Sequence, residues 1–140
     1  MNLLIDDQLL GTVLRGHRPR SLPRRATLFT TGYWYVRLCQ AALNVADRTG
    51  VLSAPFAALP ADQRERAVAA VLELPEEVGH VGLRTLGPLI ARLRGRHRLN
   101  ILGSEALAAA VYLEAEVALS ARSPRLERAL VAESRRVRRV

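Results

Sequence analysis

The chain has 140 residues, of which 49% are hydrophobic and 24% charged, and its formal net charge at pH 7 is +8. This length fits one domain, and the apolar content is ample for a core and too high for a disordered chain. No apolar stretch approaches the ~20 residues of a membrane span, and no basic region precedes the N-terminal apolar run, so neither a membrane protein nor a signal peptide is predicted. Cys39 is the only cysteine, which excludes an intramolecular disulfide and argues against a cysteine–histidine metal cluster. The default location is the cytoplasm.

Apolar periodicity and chain breakers predict the elements in order. The first half reads as a strand at 2–6, a helix at 7–15, a basic loop, a strand at 26–31, a helix at about 32–47 and an apolar linker at 51–59. The second half reads as a helix at 61–74, an interrupted helix at 76–94, a short extended segment at 99–102, a helix at 105–115, a strand at 117–120 and a helix at 124–132. Thr31 and Ser104 are the predicted N-caps of the helices that follow them. The tail, 135–140, needs no structure.

Strands that alternate with helices indicate an α/β fold with parallel strands. Ligands of such folds sit outside the carboxyl ends of the strands. Asp6-Asp7, Thr30-Thr31 and Ser120 each end or follow a predicted strand. We therefore expect these side chains to meet at one edge of the sheet.

The arginines are unevenly placed along the chain. All 21 basic residues are arginines, and they concentrate in three segments. Residues 15–25 hold five with no acid, residues 92–98 hold four, and residues 122–140 hold seven against two glutamates. This placement suits a polyanion or an acidic protein tail. The alternative is a solvated surface in an arginine-rich protein.

Three stretches resemble the PIN-domain family, the small metal-dependent nucleases that include VapC-like toxins of bacterial toxin–antitoxin pairs. LLIDDQLL is similar to the family's opening strand, whose end carries the first metal-binding aspartate, here Asp6. LFTTGYWYVRLCQAAL is similar to the second strand and its helix. GSEALAAAVYLEAEVALSARS is similar to a later helix–strand unit, in which Glu105 takes the acid position and Ser120 the hydroxyl position.

The resemblance implies a fold, an activity and partners. The fold is a three-layer α/β/α domain over residues 1–134 with a mainly parallel sheet of four or five short strands, followed by the basic tail. The activity is hydrolysis of RNA by Mg²⁺ or Mn²⁺, with Asp6 and Glu105 as catalytic metal ligands and Asp7 assisting. Thr31 and Ser120 would complete the pocket. The partners are RNA, an antitoxin protein and a second copy of the chain.

Two acids that the family carries are replaced. The glutamate expected two turns after Thr31 corresponds to Arg37, and the aspartate expected after Ser120 falls at or beside Arg122. At ~4 Å and an effective dielectric constant of about 20, each unit charge contributes about 4 kcal/mol. Two guanidinium groups could therefore nearly cancel the charge of the acids and form ion pairs where the metal would sit. We hypothesise a degenerate active site in which Arg37 and Arg122 take the metal's electrostatic role, so that ribonuclease activity is in doubt.

The basic loop supplies the candidate RNA contacts. It follows the first helix directly, and if it lay at the edge with Asp6 it could follow a phosphate backbone beside the pocket. Its arginines are Arg15, Arg18, Arg20, Arg24 and Arg25.

Simpler interpretations stay open for each feature. Asp6 and Asp7 can start a helix, as a cap and a favourable charge at its dipole, and Glu105 can do the same. The aromatic cluster 33–35 favours packing over base stacking. For the whole chain, the main alternative is a non-catalytic interaction module that dimerises and docks an acidic partner. A helical DNA-binding protein is a weaker alternative, because no helix-turn-helix pattern is visible.

Overall fold

The computed structural model describes residues 1–43 and 50–140. These residues form five strands and seven helices. The strands are β1 (Asn2–Ile5), β2 (Thr27–Thr30), β3 (Val78–His80), β4 (Glu116–Leu119) and β5 (Val137–Arg139). The helices are α1 (Asp7–Leu14), α2 (Gly32–Leu43), α3 (Ala54–Ala57), α4 (Ala61–Leu72), α5 (Leu83–His97), α6 (Ile101–Leu113) and α7 (Pro124–Ala132). In these ranges no helix combines the length and apolarity that a membrane crossing needs.

The five strands form one all-parallel sheet with the order β3-β2-β1-β4-β5. Helices cover both faces: α1, α2 and α4 pack together on one side and α5, α6 and α7 on the other. The predicted α/β fold with three layers and a parallel sheet is confirmed. Successive side chains of a strand point to opposite faces, so Leu3 and Ile5 lie in one core and Leu4 lies in the other. This is why the run at the start of the chain is continuously apolar.

The strand order creates a switch point beside β1. From β1 the chain moves outward through β2 and β3, and it then crosses to the other side to build β4 and β5. Ligands of open α/β sheets bind outside the carboxyl ends of the strands at such a reversal. Asp6 follows β1 and Ser120 follows β4, so these two residues flank the crevice.

Several predicted elements differ from those observed. Asn100, not Ser104, caps α6, because its side-chain oxygen accepts a 2.8 Å hydrogen bond from the Gly103 amide. The predicted extended segment 99–102 is therefore wrong. Strand β3 falls inside the predicted interrupted helix. Its central residue is Gly79, and a Cβ there would overlap the Phe29 ring of the neighbouring strand.

Other differences lie on the helices and at the tail. The linker 51–59 contains the short helix α3. In α4, Leu72 is exposed, whereas Val71 is buried. The predicted end of the helix at 32–47 lies outside the described residues. The tail 135–140 forms β5, whose Val137 packs against the core. The charged sequence RRVRRV gives little local signal for this edge strand, in which Val137 is only partly buried.

The basic loop lies away from Asp6. It connects the end of α1 to Thr27, whose amide bonds the Met1 carbonyl at the amino ends of the strands. Asp6 is at the opposite, carboxyl end of β1, which has four residues and is therefore about 13 Å long. The basic loop and the pocket with Asp6 therefore lie at opposite ends of β1, and the loop does not run beside the pocket.

Candidate functional site

A cavity of about 360 Å³ opens at the carboxyl ends of β1 and β4. Trp34, Leu102 and Leu126 contribute apolar wall to it. Its charged and polar lining includes five of the predicted site residues. These are Asp6, Asp7, Arg37, Ser120 and Arg122.

Asp6 is buried and holds the switch point together. Its Oδ1 accepts a 2.9 Å hydrogen bond from the Leu9 amide and so caps α1. Its Oδ2 accepts two 2.7 Å bonds, one from the Ser120 amide and one from the Ser120 hydroxyl. Asp6 thus caps α1 and also bridges β1 to β4. A helix cap and a residue of the cavity lining, which the sequence offered as alternatives, are here the same residue.

Asp7 has one satisfied oxygen and one unsatisfied oxygen. Its Oδ1 accepts a 2.8 Å hydrogen bond from the Gln8 amide. Its Oδ2 is buried and accepts no hydrogen bond from the described residues. Burial raises the pKa of the Asp7 carboxyl above its ordinary value; the Arg37 guanidinium opposes this shift, and the Asp6 carboxylate adds to it. Asp7 also belongs to the lining of the cavity, so its unsatisfied oxygen lies in the wall of a concave pocket.

Arg37 supplies the nearest cation. Its guanidinium nitrogen lies 3.3 Å from Oδ2 of Asp7, and about half of its side chain is exposed. The separation is that of an ion pair, but the angles do not make a hydrogen bond. The group therefore neutralises Asp7 while its remaining donors stay available.

Arg122 lines the same cavity without pairing to Asp6 or Asp7. Its Nε lies 3.9 Å from an oxygen of Glu127, which also pairs with Arg139 at 3.1 Å. Glu127 accepts a 3.2 Å hydrogen bond from the Ser123 amide at the start of α7. Glu127 was not predicted from the sequence: it follows Ser123 by four residues, one more than the capping-box spacing, so no standard local pattern marks it.

Glu105 lies outside the lining of the cavity. It is almost fully buried in α6, and its two oxygens accept hydrogen bonds from the Gly32 amide at 3.2 Å and the Tyr33 amide at 2.8 Å. Both amides belong to the first turn of α2, where a carboxylate also interacts favourably with the helix dipole. Thr31 caps the same helix as predicted, because its hydroxyl accepts a 3.1 Å bond from the Trp34 amide.

The donor set does not fit a Mg²⁺ or Mn²⁺ ion. Such ions require near-octahedral oxygen ligands. Oδ2 of Asp6 already accepts two hydrogen bonds, Asp7 faces a guanidinium, and Glu105 is held by α2. Within residues 1–43 and 50–140, no group of three or more histidine, cysteine or acidic side chains is arranged to hold a metal.

Two of the five loop arginines are committed to local structure. The Arg15 guanidinium lies 5.4 Å from the centroid of the Phe56 ring, and burial lowers its pKa. Arg18 donates to the carbonyls of Pro23 and Ala26. The other three, Arg20, Arg24 and Arg25, are exposed.

Among the aromatic cluster, Trp34 is buried in the core and lines the cavity. Packing, the favoured interpretation of this cluster, is thus observed for Trp34. Tyr33 is partly exposed.

A scan against protein-family models gives no match, and a search of curated protein sequences finds no relative.

Proposed function

We propose that this chain is a PIN-like cytoplasmic protein that binds RNA without hydrolysing it. The observation that carries this proposal is the Arg37 guanidinium 3.3 Å from Asp7 in the switch-point cavity. A guanidinium in this position supplies positive charge where the family's metal would supply it, but it cannot activate a water molecule as a metal does.

The cavity suits a phosphate group better than it suits a cation. Asp6 and Asp7 are balanced in formal charge by Arg37 and Arg122, which both line the cavity. Both arginines keep more than half of their side chains exposed. A guanidinium presents a planar fork of donors that matches two phosphate oxygens. An RNA phosphate could therefore be held at the mouth of the cavity by these two groups.

The partner predictions follow from the resemblance alone. The chain would be the toxin-like member of a toxin–antitoxin pair, would form a homodimer and would bind an antitoxin protein. A chain that binds RNA but does not cleave it would still compete for RNA and would still be controlled by such a partner.

RNA binding and RNA cleavage are measured separately to test the proposal. We expect the wild-type protein to bind single-stranded RNA in EDTA and to leave it intact when Mn²⁺ is added. The double variant R37Q/R122Q should bind less tightly. Cleavage that requires Mn²⁺ and is lost in D6N would overturn the non-hydrolytic assignment, and absence of RNA binding in both buffers would overturn the whole proposal.

A further inference from the structure

Two surface grooves extend from the candidate site along α7. The first, of about 790 Å³, lies between α7 and β5 and includes Arg122, Arg128 and Arg139 in its lining. The second, of about 460 Å³, lies between the ends of α5 and α7 and includes Arg98, Arg125 and Arg128. Arg122 also lines the switch-point cavity. Arg122 is shared by the cavity and the first groove, and Arg128 by the two grooves, so the three concavities adjoin one another and define a path along α7.

Positive charge rises along this path. In the switch-point cavity two arginines balance two aspartates. In the first groove three arginines face the single acid Glu127. In the second groove three arginines are joined by His97, and no acid belongs to the lining. A polyanion would thus be attracted most strongly to the second groove, and a long one would extend from there toward the cavity.

The arginines of the second groove are free of ion pairs. Among the ion pairs of the described residues, none includes Arg98, Arg125 or Arg128. All three are exposed. Arg125 and Arg128 are three residues apart in α7 and so project from one side of the helix. Their donors are available to a ligand without breaking an existing contact.

We propose that the phosphate backbone of single-stranded RNA binds along this α7 track, made of Arg122, Arg139, Arg128, Arg125 and Arg98. The proposal rests on the RNA-binding function proposed above and replaces loop 15–25 as its contact surface. The arginines lie in succession along connected grooves, as a polymer with a charge on every nucleotide requires. Neither groove contains an aromatic side chain for base stacking. Because phosphate contacts carry no sequence information, we expect little sequence preference.

An acidic protein segment fits the track less well. Peptide docking depends on apolar or aromatic anchors in pockets. The second groove, which is the most positive, offers only Ala129 and Ala132 beside its charged groups. A phosphate backbone needs no such anchor, because its affinity comes from charge neutralisation and release of counterions.

The test compares two variants that remove equal charge. R125Q/R128Q alters the track, and R24Q/R25Q alters the basic loop at the amino ends of the strands. All four side chains are exposed, so both variants should fold, which circular dichroism and thermal unfolding check. The probe is a fluorescein-labelled oligouridylate, and its affinity is measured over a range of salt concentrations.

We expect R125Q/R128Q to reduce affinity at low salt on the order of tenfold or more and to make the log–log salt slope shallower by about 1.4, at ~0.7 per phosphate contact. R24Q/R25Q should leave the slope unchanged. A loss confined to R24Q/R25Q would overturn the track but not RNA binding. Failure of the wild-type protein to bind the probe would overturn the proposed function itself. Tighter binding of polyglutamate than of the oligouridylate, lost in R125Q/R128Q, would assign the track to an acidic protein instead.

Discussion

Asp6 and Asp7 are neighbours in the chain but differ in how well their buried carboxylates are hydrogen-bonded. Asp6 accepts three hydrogen bonds from Leu9 and Ser120 and is fully satisfied. Asp7 leaves one buried oxygen without a hydrogen bond. A buried polar atom without a hydrogen bond costs stability, and among the described residues Oδ2 of Asp7 has only the Arg37 guanidinium as a charged partner. We therefore expect Asp6 to contribute more to the stability of the fold than Asp7 does.

Replacing Asp7 with asparagine should stabilise the fold at neutral pH. Because burial raises the pKa of Asp7, the folded state holds the proton more strongly than the unfolded state does. Stability therefore falls as pH rises from the ordinary aspartate pKa of about 3.9 through the raised value, and at pH 7 the charged form is a cost. D7N removes that charge. We expect a higher urea midpoint at pH 7 and a smaller difference at pH 4.

Asp6 provides the matched control for this substitution. In D6N an amide NH₂ would face the donors of Leu9 or Ser120, so a buried hydrogen bond would be lost at a cost of about 1–3 kcal/mol. A drop in stability of D7N as large as that of D6N would show that Asp7 is structural and would contradict the account.

At the scale of the elements, Glu105 is buried because it bridges α6 to the first turn of α2. One turn into α6, it reaches across to the first turn of α2 and joins the two elements through backbone amides. A Cβ on Gly32 would come within 3.1 Å of its carboxylate, so the absence of a side chain at this position allows the close approach. Glu105 is an inter-helix cap in this geometry rather than part of the cavity lining.

We expect E105Q to destabilise the protein by about 1–3 kcal/mol, because the amide nitrogen cannot accept from a backbone amide. RNA affinity, measured on the folded fraction, should not change. E76Q, at an exposed position, is the control and should leave stability unchanged. Loss of RNA binding in a fully folded E105Q would show that Glu105 contributes to RNA binding and would contradict its assignment as an inter-helix cap.

A second contact joins α5 to the end of α7 and gives the fold an acid-sensitive connection. The Glu133 carboxylate accepts from His97 at 2.8 Å and from Arg96 at 2.7 Å. The hydrogen bond from His97 is the main cause that lowers the Glu133 pKa below its ordinary value, and Arg96 adds to it. This carboxylate contributes stability above about pH 4.3 and loses it as pH falls through the lowered pKa.

E133Q should therefore be less stable than the wild-type protein at pH 6. The two stabilities should converge toward pH 3, because Glu133 is then increasingly protonated in the wild-type protein. Thermal unfolding between pH 3 and pH 6 measures this. Parallel curves for the two proteins would mean that the ion pairs contribute nothing to stability.

The sequence predicted elements well where a local signal and the tertiary contacts agree. Thr31 is followed by a helix that it caps, and Pro124 starts α7 as expected. Prediction failed where a distant partner decides. Gly79 fits in β3 because the neighbouring Phe29 ring leaves no room for a side chain there. Residues 137–139 form a strand because β4 pairs with them. Neither partner is visible in the local pattern.

The site was predictable in part for the same reason. Strand ends mark the edge where ligands bind, so Asp6, Asp7 and Ser120 could be named from the sequence. The register of the second helix brought Arg37 into the cavity. Glu105 and the basic loop could not be placed, because their positions depend on which end of a strand each connection reaches.

At the scale of the whole molecule, the arginines are divided between loop 15–25 and the α7 track. Loop 15–25 lies at the amino ends, where the Arg138 side chain fixes it by donating to the Ser21 carbonyl and pairing with Glu116. The α7 track begins beside the switch-point cavity, where Arg122 lines both, and follows α7. A polyanion bound on the track would reach the cavity, whereas one on the loop would not.

The central proposal is that the Arg37 guanidinium supplies the positive charge that a metal ion would supply in a PIN-like site, and isothermal titration with Mn²⁺ tests it most directly. Wild-type protein and R37Q, which removes the guanidinium charge without adding a carboxylate, should show no tight site. R37E, which adds a carboxylate beside Asp7, should gain one that D7N removes. A tight Mn²⁺ site in the wild-type protein that is abolished by D6A would contradict the account.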